Sequence, residues 1–123
     1  MVIGIGIDVI EIERVARAIG QRPRFLEKVY TVEETDQCLK KGSPESSFAA
    51  RFAAKEAVFK SLGSGWGLGW LSVEITADQE GRPQVRLHGR AEARAEELGV
   101  REIKLSLTHS RMTACAVAIA LGG

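Results

Sequence analysis

The sequence predicts an α+β fold in which an antiparallel β-sheet packs on one long central helix. Residues 44–62 repeat apolar side chains at helical spacing, and Gly63 follows the last turn. Four later segments alternate apolar and polar residues or are continuously apolar, as strands are, and short polar turns join them in two pairs. We predict these strands over residues 71–77, 84–89, 102–109 and 113–121.

The first nine residues form a further predicted strand whose two faces differ. Gly4, Gly6 and Asp8 share one face, because successive side chains of a strand point to opposite sides. Glycine weakens a strand interior, and its presence often marks a face to which another backbone comes close. We therefore expect a helix to pack against this face, next to Asp8. The other face is apolar and consists of Ile3, Ile5, Ile7 and Val9.

Local signals place the helices. A short helix follows the first strand and is predicted to close at Gly20, and a second one begins near Thr31. Ser43, Pro44 and Glu45 supply a capping hydroxyl, a proline in the first turn and an acid facing the helix dipole, which together start the long helix. A short charged helix is predicted between the two pairs of later strands.

Composition limits the possible functions. A chain of 123 residues is expected to form one domain, residues 1–123, and its hydrophobic share of 45% is ordinary for a globular protein. The net charge of +1 gives no reason to expect a nucleic-acid or membrane partner. Cys38 and Cys115 match no metal-ligand spacing or disulfide framework. With no signal peptide or long apolar span, the cytoplasm is the expected compartment.

The long helix carries charged residues close to its core-facing side. Ala49, Ala53, Glu56 and Lys60 share one face, because residues three and four apart are neighbours on a helix. The ordinary interpretation is a Glu56–Lys60 ion pair, which is worth about 0.2–0.5 kcal/mol. Alternatively, the alanines let another backbone come near, and Glu56 then lies at the edge of the core beside a site.

Asp8 also has two interpretations. Asp8 and Glu11 have the spacing of a capping box that would open the helix after the first strand. Asp8 also lies on the glycine face, where a packed helix could bring Glu56 beside it. Two such carboxylates suit Mg²⁺, which takes one or two of them and leaves its other positions to water and substrate phosphates. Lys60, and with it Lys55, would then neutralise phosphate oxygens.

His109 ends a predicted strand, and it too has two interpretations. Its place in the alternation matches Ile103, Leu105 and Leu107, so it would ordinarily be a histidine at the core edge with a backbone partner. The functional alternative is a contact to a ligand at the strand end, beside Thr108.

Three ordered blocks of sequence resemble a known family. They are GIDVIEIERV near the start, RFAAKEAVFKSLG in the middle and LSLTHSRMTACAVA near the end. Together they resemble the small holo-acyl-carrier-protein synthases, the stand-alone class of 4′-phosphopantetheinyl transferases. The resemblance spans about Ile3 to Leu121, and a small departure is that LTHS stands where LSH is commoner in the family.

The resemblance implies a fold, an assembly and a reaction. It implies the 4′-phosphopantetheinyl transferase fold and a homotrimer with active sites between neighbouring chains. The implied reaction moves the 4′-phosphopantetheine arm of coenzyme A to a serine of apo acyl carrier protein, in support of fatty acid biosynthesis. The other product is adenosine 3′,5′-bisphosphate.

The resemblance also assigns roles to matched residues. Asp8 and Glu56 resemble the family's Mg²⁺ ligands, Lys60 resembles its phosphate-contacting lysine, and all three are expected to be catalytic. Glu56 is in addition our candidate for the base that takes the serine proton. The residues expected to bind coenzyme A are Arg51, Lys55, Lys60, Thr108 and His109.

A basic stretch near the first helix is expected to dock the carrier protein. Acyl carrier proteins are typically acidic, so a basic rim with an apolar centre suits them. Arg17 is interpreted instead as part of a solvated helix face. The residues expected to bind this partner are Arg14, Arg24, Phe25 and Lys28.

Two other functions are compatible with the same fold. One is a non-catalytic module that binds coenzyme A or a nucleotide, and the other is a purely structural trimerising domain. A pure binder would not need a metal directed at a pyrophosphate. A structural domain would gain nothing from charges at the edge of a buried helix, which are costly to desolvate.

Overall fold

A computed structural model of the chain describes residues 1–63 and 65–123, without the side chains of residues 65 and 66. The strands are β1 (Val2–Glu11), β2 (Val73–Ala77), β3 (Pro83–Leu87), β4 (Val100–His109) and β5 (Thr113–Gly122). The helices are α1 (Ile12–Gln21), α2 (Phe25–Val29), α3 (Val32–Leu39), α4 (Pro44–Ser61) and α5 (Gly89–Leu98), and short 3₁₀ turns cover Gly65–Leu68 and Trp70–Ser72.

The strands form two antiparallel sheets. β5 lies between β1 and β4 in a three-stranded sheet, and β2 pairs with β3 in a separate hairpin. The predicted α+β class with antiparallel strands is confirmed. The pairing of the first strand with the last was not predicted, because alternation identifies a strand and its faces but not its partner.

Helix α4 lies at the centre of the fold, where it contacts β1, β5, β4, α1 and α3. From residue 114 to residue 120, every second residue of β5 is an alanine that is at most 1% exposed, and these small side chains let the sheet and the helix pack closely. Phe48, Phe59 and Leu62 fill the spaces on either side. The alanines of β5 are Ala114, Ala116, Ala118 and Ala120.

The helix ends agree with the sequence in part. α4 begins at Pro44 as predicted, although the Ser43 hydroxyl bonds to the Ser46 hydroxyl at 3.0 Å rather than to a backbone N–H. Gly20 does not close α1, because the helix continues to Gln21. α2 was not predicted, since five residues are too few to show a helical period. No helix in residues 1–63 and 65–123 is long and apolar enough to cross a bilayer.

The outer face of the three-stranded sheet is apolar on β1 and β5 and is uncovered in the single chain, whereas β4 contributes Lys104, Ser106 and Thr108 to it. Ile5, Ile7 and Val9 of β1 are each about 60% exposed there. Opposite them on β5, Val117 and Ile119 are half-buried. The continuous apolar pattern of β5 predicts cover on both faces, and in the single chain only its alanine face is covered.

Candidate active site

The backbone of α4 comes into direct contact with the glycine face of β1. A β-carbon on Gly4 would stand 1.9 Å from the carbonyl oxygen of Ser61, and one on Gly6 would stand 2.0 Å from that of Ala57. Both distances are far below van der Waals contact, so only glycine fits at these positions. The predicted close approach of a helix to this face is confirmed.

This contact places Asp8 beside the charged residues of α4. The Lys60 ammonium donates to the Asp8 carboxylate at 3.2 Å and to the carbonyl oxygen of Ile7 at 2.9 Å. Lys60 therefore bridges from the helix to the strand. Glu56, one turn earlier on α4, lines the same cleft as Asp8. The structure thus brings together the three residues that the sequence suggested as catalytic.

The alternative role of Asp8 as a helix cap is wrong. β1 continues through Glu11, so Asp8 lies within the strand and the capping position belongs to Glu11. The side chain of Glu11 makes no capping hydrogen bond. Asp8 therefore has no part in starting α1, and its carboxylate faces α4.

The cleft beside Asp8 and Glu56 has a volume of about 650 Å³ and lies between β1, α1, α2 and α4. One wall is aromatic: the rings of Phe52 and Trp70 stack with centroids 4.9 Å apart, and Phe25 stacks on Phe52 at 6.3 Å. The cleft is therefore lined by charged groups and by an apolar aromatic wall.

Basic residues lie around the same cleft. Arg14 on α1 and Lys28 on α2 both line it and are exposed. Phe25, also predicted to bind the partner, contributes to its wall. Arg24 is exposed at the residue before α2 but is not among the lining residues. The backbone φ of Arg24 is 67°, in the left-handed region that residues other than glycine rarely adopt.

The donor set of the cleft fits a hard, hydrated cation. Asp8 and Glu56 are the acids that line it, and the described residues hold no group of three or more His, Cys, Asp or Glu that could enclose a metal ion. Mg²⁺ is commonly bound by one or two carboxylates together with waters and substrate phosphates. Two carboxylates at an open cleft match that requirement, whereas a structural zinc site would need four protein ligands.

The predicted role of Lys55 in binding coenzyme A is wrong. Lys55 is fully buried and forms an ion pair of 2.9 Å with Glu34, which is also fully buried. Its ammonium donates in addition to the carbonyl oxygens of Trp70 and Val73. Burial lowers the pKa of Lys55 from its usual value, and the negative charge of Glu34 opposes that shift. All three ammonium donors are thus used inside the protein.

Arg51 lies on a different face of α4 from Glu56. Arg51 is 6% exposed, donates to the carbonyl oxygen of Ile75 at 2.9 Å, and lines a second cleft of about 300 Å³ together with Lys41 and Ser106. Five residues of helix correspond to a rotation of about 140°. Arg51 and Glu56 of one chain therefore face different clefts.

Thr108 and His109 lie at the exposed end of β4. Neither lines the cleft of Asp8 and Glu56. Thr108 belongs to the outer face of the sheet, since it pairs with Cys115, whereas His109 pairs with Ala114 on the helix side. His109 keeps the parity of the core residues Ile103, Leu105 and Leu107, but it lies beyond the last of them and is exposed in the single chain.

Comparison with known proteins identifies the family. A model of the 4′-phosphopantetheinyl transferase superfamily matches residues 4–118. The chain belongs to this superfamily.

Named relatives agree with this assignment. The holo-[acyl-carrier-protein] synthase of Moorella thermoacetica is 53% identical over 115 residues, which make up 93% of this chain and 90% of that relative. The synthase of Alkaliphilus metalliredigens is 46% identical over 121 residues, or 98% of this chain and 99% of that one. A crystal structure of a holo-(acyl-carrier-protein) synthase from Bacillus anthracis in complex with CoA (3′,5′-ADP) has a TM-score of 0.83 at 31% identity, with 100% of this chain and 99% of that chain covered. The resemblance carried by the three sequence blocks is confirmed, and the chain is an enzyme of the phosphopantetheinyl transferase family.

Two features of this phosphopantetheinyl transferase escaped the sequence analysis. The aromatic wall was not predicted because Phe52 is one of the apolar side chains of the long helix, which ordinarily face the core, and Trp70 lies between the predicted elements. Glu34, the buried partner of Lys55, was missed although Thr31 and Glu34 carry a readable capping-box spacing, which the structure forms. That spacing predicts where α3 begins, but it does not show which buried charge Glu34 meets.

Proposed function

We propose that this transferase moves the 4′-phosphopantetheine arm of coenzyme A to a serine hydroxyl of apo acyl carrier protein, and that it thereby supports fatty acid biosynthesis. The observation that carries the proposal is the position of Asp8 and Glu56 in one cleft, with Lys60 bonded to Asp8 and basic residues around the cleft. The names of the relatives and the CoA bound by the Bacillus anthracis protein support the choice of substrates. The proposal treats residues 1–123 as one domain working in the cytoplasm, where free thiols such as Cys38 stay reduced.

Asp8 and Glu56 would hold Mg²⁺ between strand and helix, since their carboxylates are the acids of the cleft. When bound, the ion would neutralise charge on the pyrophosphate of coenzyme A. The packing of α4 on Gly4 and Gly6 fixes the strand that carries Asp8 against the helix that carries Glu56. This preorganisation removes the need to assemble the ligands during the reaction.

Lys60 would contact the phosphate oxygens. Its side chain is 52% exposed and already reaches Asp8, so a phosphate bound there comes within range of the ammonium. In the reaction the serine oxygen forms a bond to the phosphorus next to pantetheine. The bond between that phosphorus and the bridging oxygen of the pyrophosphate breaks, and the oxygen stays with the leaving nucleotide. Adenosine 3′,5′-bisphosphate leaves with that electron pair. Glu56 is the proposed acceptor of the serine proton, directly or through a water.

The carrier protein would dock across the basic rim. Arg14 and Lys28 line the cleft that holds the acids, and Phe25 offers an apolar contact in the same lining. Arg24 extends the positive surface outside the cleft. An acidic partner is attracted to such a rim, and its serine is then delivered next to Asp8 and Glu56.

The nucleotide end of coenzyme A would be bound by a neighbouring chain in a homotrimer. Arg51, Thr108 and His109 are predicted coenzyme A contacts, yet in one chain they lie away from the cleft of Asp8 and Glu56. A second copy would solve two problems at once: it would supply these residues from another direction and cover the exposed outer face of the sheet, including Ile5 and Ile7.

The alternative is a module of the same fold that binds coenzyme A without transfer. Incubation with coenzyme A, Mg²⁺ and an apo acyl carrier protein, followed by chromatography of the nucleotides, separates the two functions. Transfer predicts adenosine 3′,5′-bisphosphate that accumulates only when the apo carrier is present. Binding of coenzyme A with no nucleotide product would favour the alternative.

A further inference from the structure

The buried pair Lys55–Glu34 connects α4 and α3 to the start of β2. Glu34 accepts from the backbone N–H groups of Thr31 and Ile75, each at 2.8 Å, as well as from Lys55. Lys55 donates to the carbonyl oxygens of Trp70 and Val73. The pair therefore joins three separate segments of backbone at one point with no access to water.

Lys55 bonds to the backbone of Trp70 from the same face of α4 that contacts the Trp70 ring. Phe52 and Phe59 contact the Trp70 ring, with centroids at 4.9 Å and 5.4 Å. Phe52, Lys55 and Phe59 are spaced by three and four residues, so they form one face of the helix. Glu56 is the next residue along, and Trp70 and Glu56 line the same cleft.

Stability alone does not explain a charged pair at this position. A buried ion pair often contributes no more than apolar residues of the same volume would, because both charges lose their hydration. An apolar side chain at residue 55 would, however, leave the carbonyl oxygens of Trp70 and Val73 without this donor. Unlike an apolar residue, Lys55 fixes the position of the Trp70 backbone relative to α4 by its hydrogen bond to the Trp70 carbonyl oxygen.

We propose that Lys55 is a positioning residue for phosphopantetheinyl transfer: through its bonds to Glu34 and the Trp70 backbone it fixes the aromatic wall of the cleft relative to Glu56. This inference rests on the proposed function. Lys55 contacts no substrate in this role, and its effect on the reaction passes through Trp70.

The test compares Lys55→Met, which keeps the length of the side chain and removes its donors, with Ile103→Ala, a core variant on β4 at a residue that does not line the cleft. Both are made in a Trp66→Phe background, which leaves Trp70 as the single tryptophan of a chain that has two. Lys55→Met alone leaves the buried carboxylate of Glu34 without its cation. The double variant Glu34→Gln/Lys55→Met removes that charge as well, so it replaces the single variant in the test if the single variant does not fold.

We expect the folded Lys55 variants to shift the emission of Trp70 to longer wavelength in the absence of substrates. We expect kcat to fall by roughly tenfold to a hundredfold, as when a site group is misplaced. KM for coenzyme A should stay within about twofold of the parent, because Lys55 does not bind it. Ile103→Ala should lower the melting temperature and leave both emission and kcat unchanged.

The opposite results would overturn the inference. A folded Lys55 variant with the kcat of the Ile103→Ala control would show that the pair acts only on stability. A large rise in KM for coenzyme A with kcat preserved would return Lys55 to the role of a phosphate ligand. If the parent protein itself forms no product, the proposed function fails. Separately, an unshifted Trp70 emission in the folded Lys55 variants would exclude a positioning role.

Discussion

Lys60 on α4 donates a hydrogen bond of 3.2 Å to the carboxylate of Asp8 on β1, fifty-two residues earlier in the chain. The contact requires the backbone of α4 to lie against two glycines, and it sets a cation beside one of the two acids of the cleft. The predictions below test the Asp8 carboxylate, the glycine packing behind it, the basic rim, the sharing of the site between chains and the transfer itself.

Replacement of Asp8 by Asn should abolish most activity and leave the fold intact. The variant loses a hard carboxylate ligand, so we expect kcat to fall about a hundredfold or more and the dependence on Mg²⁺ to move to higher concentration. The ion pair with Lys60 is partly exposed, so the free energy of unfolding should fall by less than about 1 kcal/mol. Asp36→Asn, a change at an exposed position on α3, is the matched control. Near-normal turnover of Asp8→Asn in Mg²⁺ would show that the site is misassigned.

Replacement of Gly6 by Ala should damage both stability and activity. The added methyl group would meet the carbonyl oxygen of Ala57 and force α4 away from β1. Overpacking of this kind costs about 1–3 kcal/mol in unfolding free energy, and it would separate Asp8 from Lys60. Gly20→Ala is the control: a β-carbon there meets nothing within 4 Å, and alanine in α1 should raise stability by about 0.5–1 kcal/mol. Equal melting temperatures for the two variants would contradict the packing argument.

Reversal of charge at Arg14 should weaken use of the carrier protein. Arg14→Glu places a negative charge at the cleft that an acidic partner must reach, so kcat/KM for the carrier should fall on the order of tenfold or more, while KM for coenzyme A changes little. Added salt should slow the wild type more than this variant.

Arg17→Glu is the matched control for this experiment. Arg17 is on the same helix, is exposed and pairs with Glu13 at 3.0 Å. Equal losses of carrier kcat/KM for Arg14→Glu and Arg17→Glu would point to a general charge effect rather than to a dock at the cleft.

Co-expression of two inactive variants should test whether the site is shared between chains. Glu56→Gln disables the acid cleft, and His109→Ala removes a residue that we assign to the neighbouring half of the site. In mixed trimers some sites receive both intact residues, so activity should exceed the sum of the two parents. Activity equal to that sum, or a wild type that stays monomeric and active at nanomolar concentration, would exclude the shared site.

The contact between β1 and α4 could be predicted from the sequence because its signals are local and sterically strict. Gly4 and Gly6 alternate with apolar residues, and the alanines of α4 repeat at helical spacing. Only a close approach of two backbones explains both patterns. The neighbouring Asp8, Glu56 and Lys60 then fall together without further information.

The role of Lys55 could not be read in the same way. Helical spacing gives the direction of its side chain, but what covers that side is β2 and α3, which are distant in sequence. A long basic residue next to Glu56 is therefore predicted to contact a ligand, although in the structure it is buried. The spacing of five residues indicates that Arg51 and Glu56 face different ways on α4, but a resemblance matched along the chain takes no account of that spacing.

The account is tested most directly by the intact mass of an apo acyl carrier protein after incubation with coenzyme A and Mg²⁺. With the wild-type chain we predict a gain equal to one phosphopantetheinyl group, matched in amount by adenosine 3′,5′-bisphosphate. Neither product should form with Glu56→Gln, or with a carrier whose acceptor serine is replaced by alanine. An unchanged carrier mass with the wild type, or an equal gain with Glu56→Gln, would contradict the account.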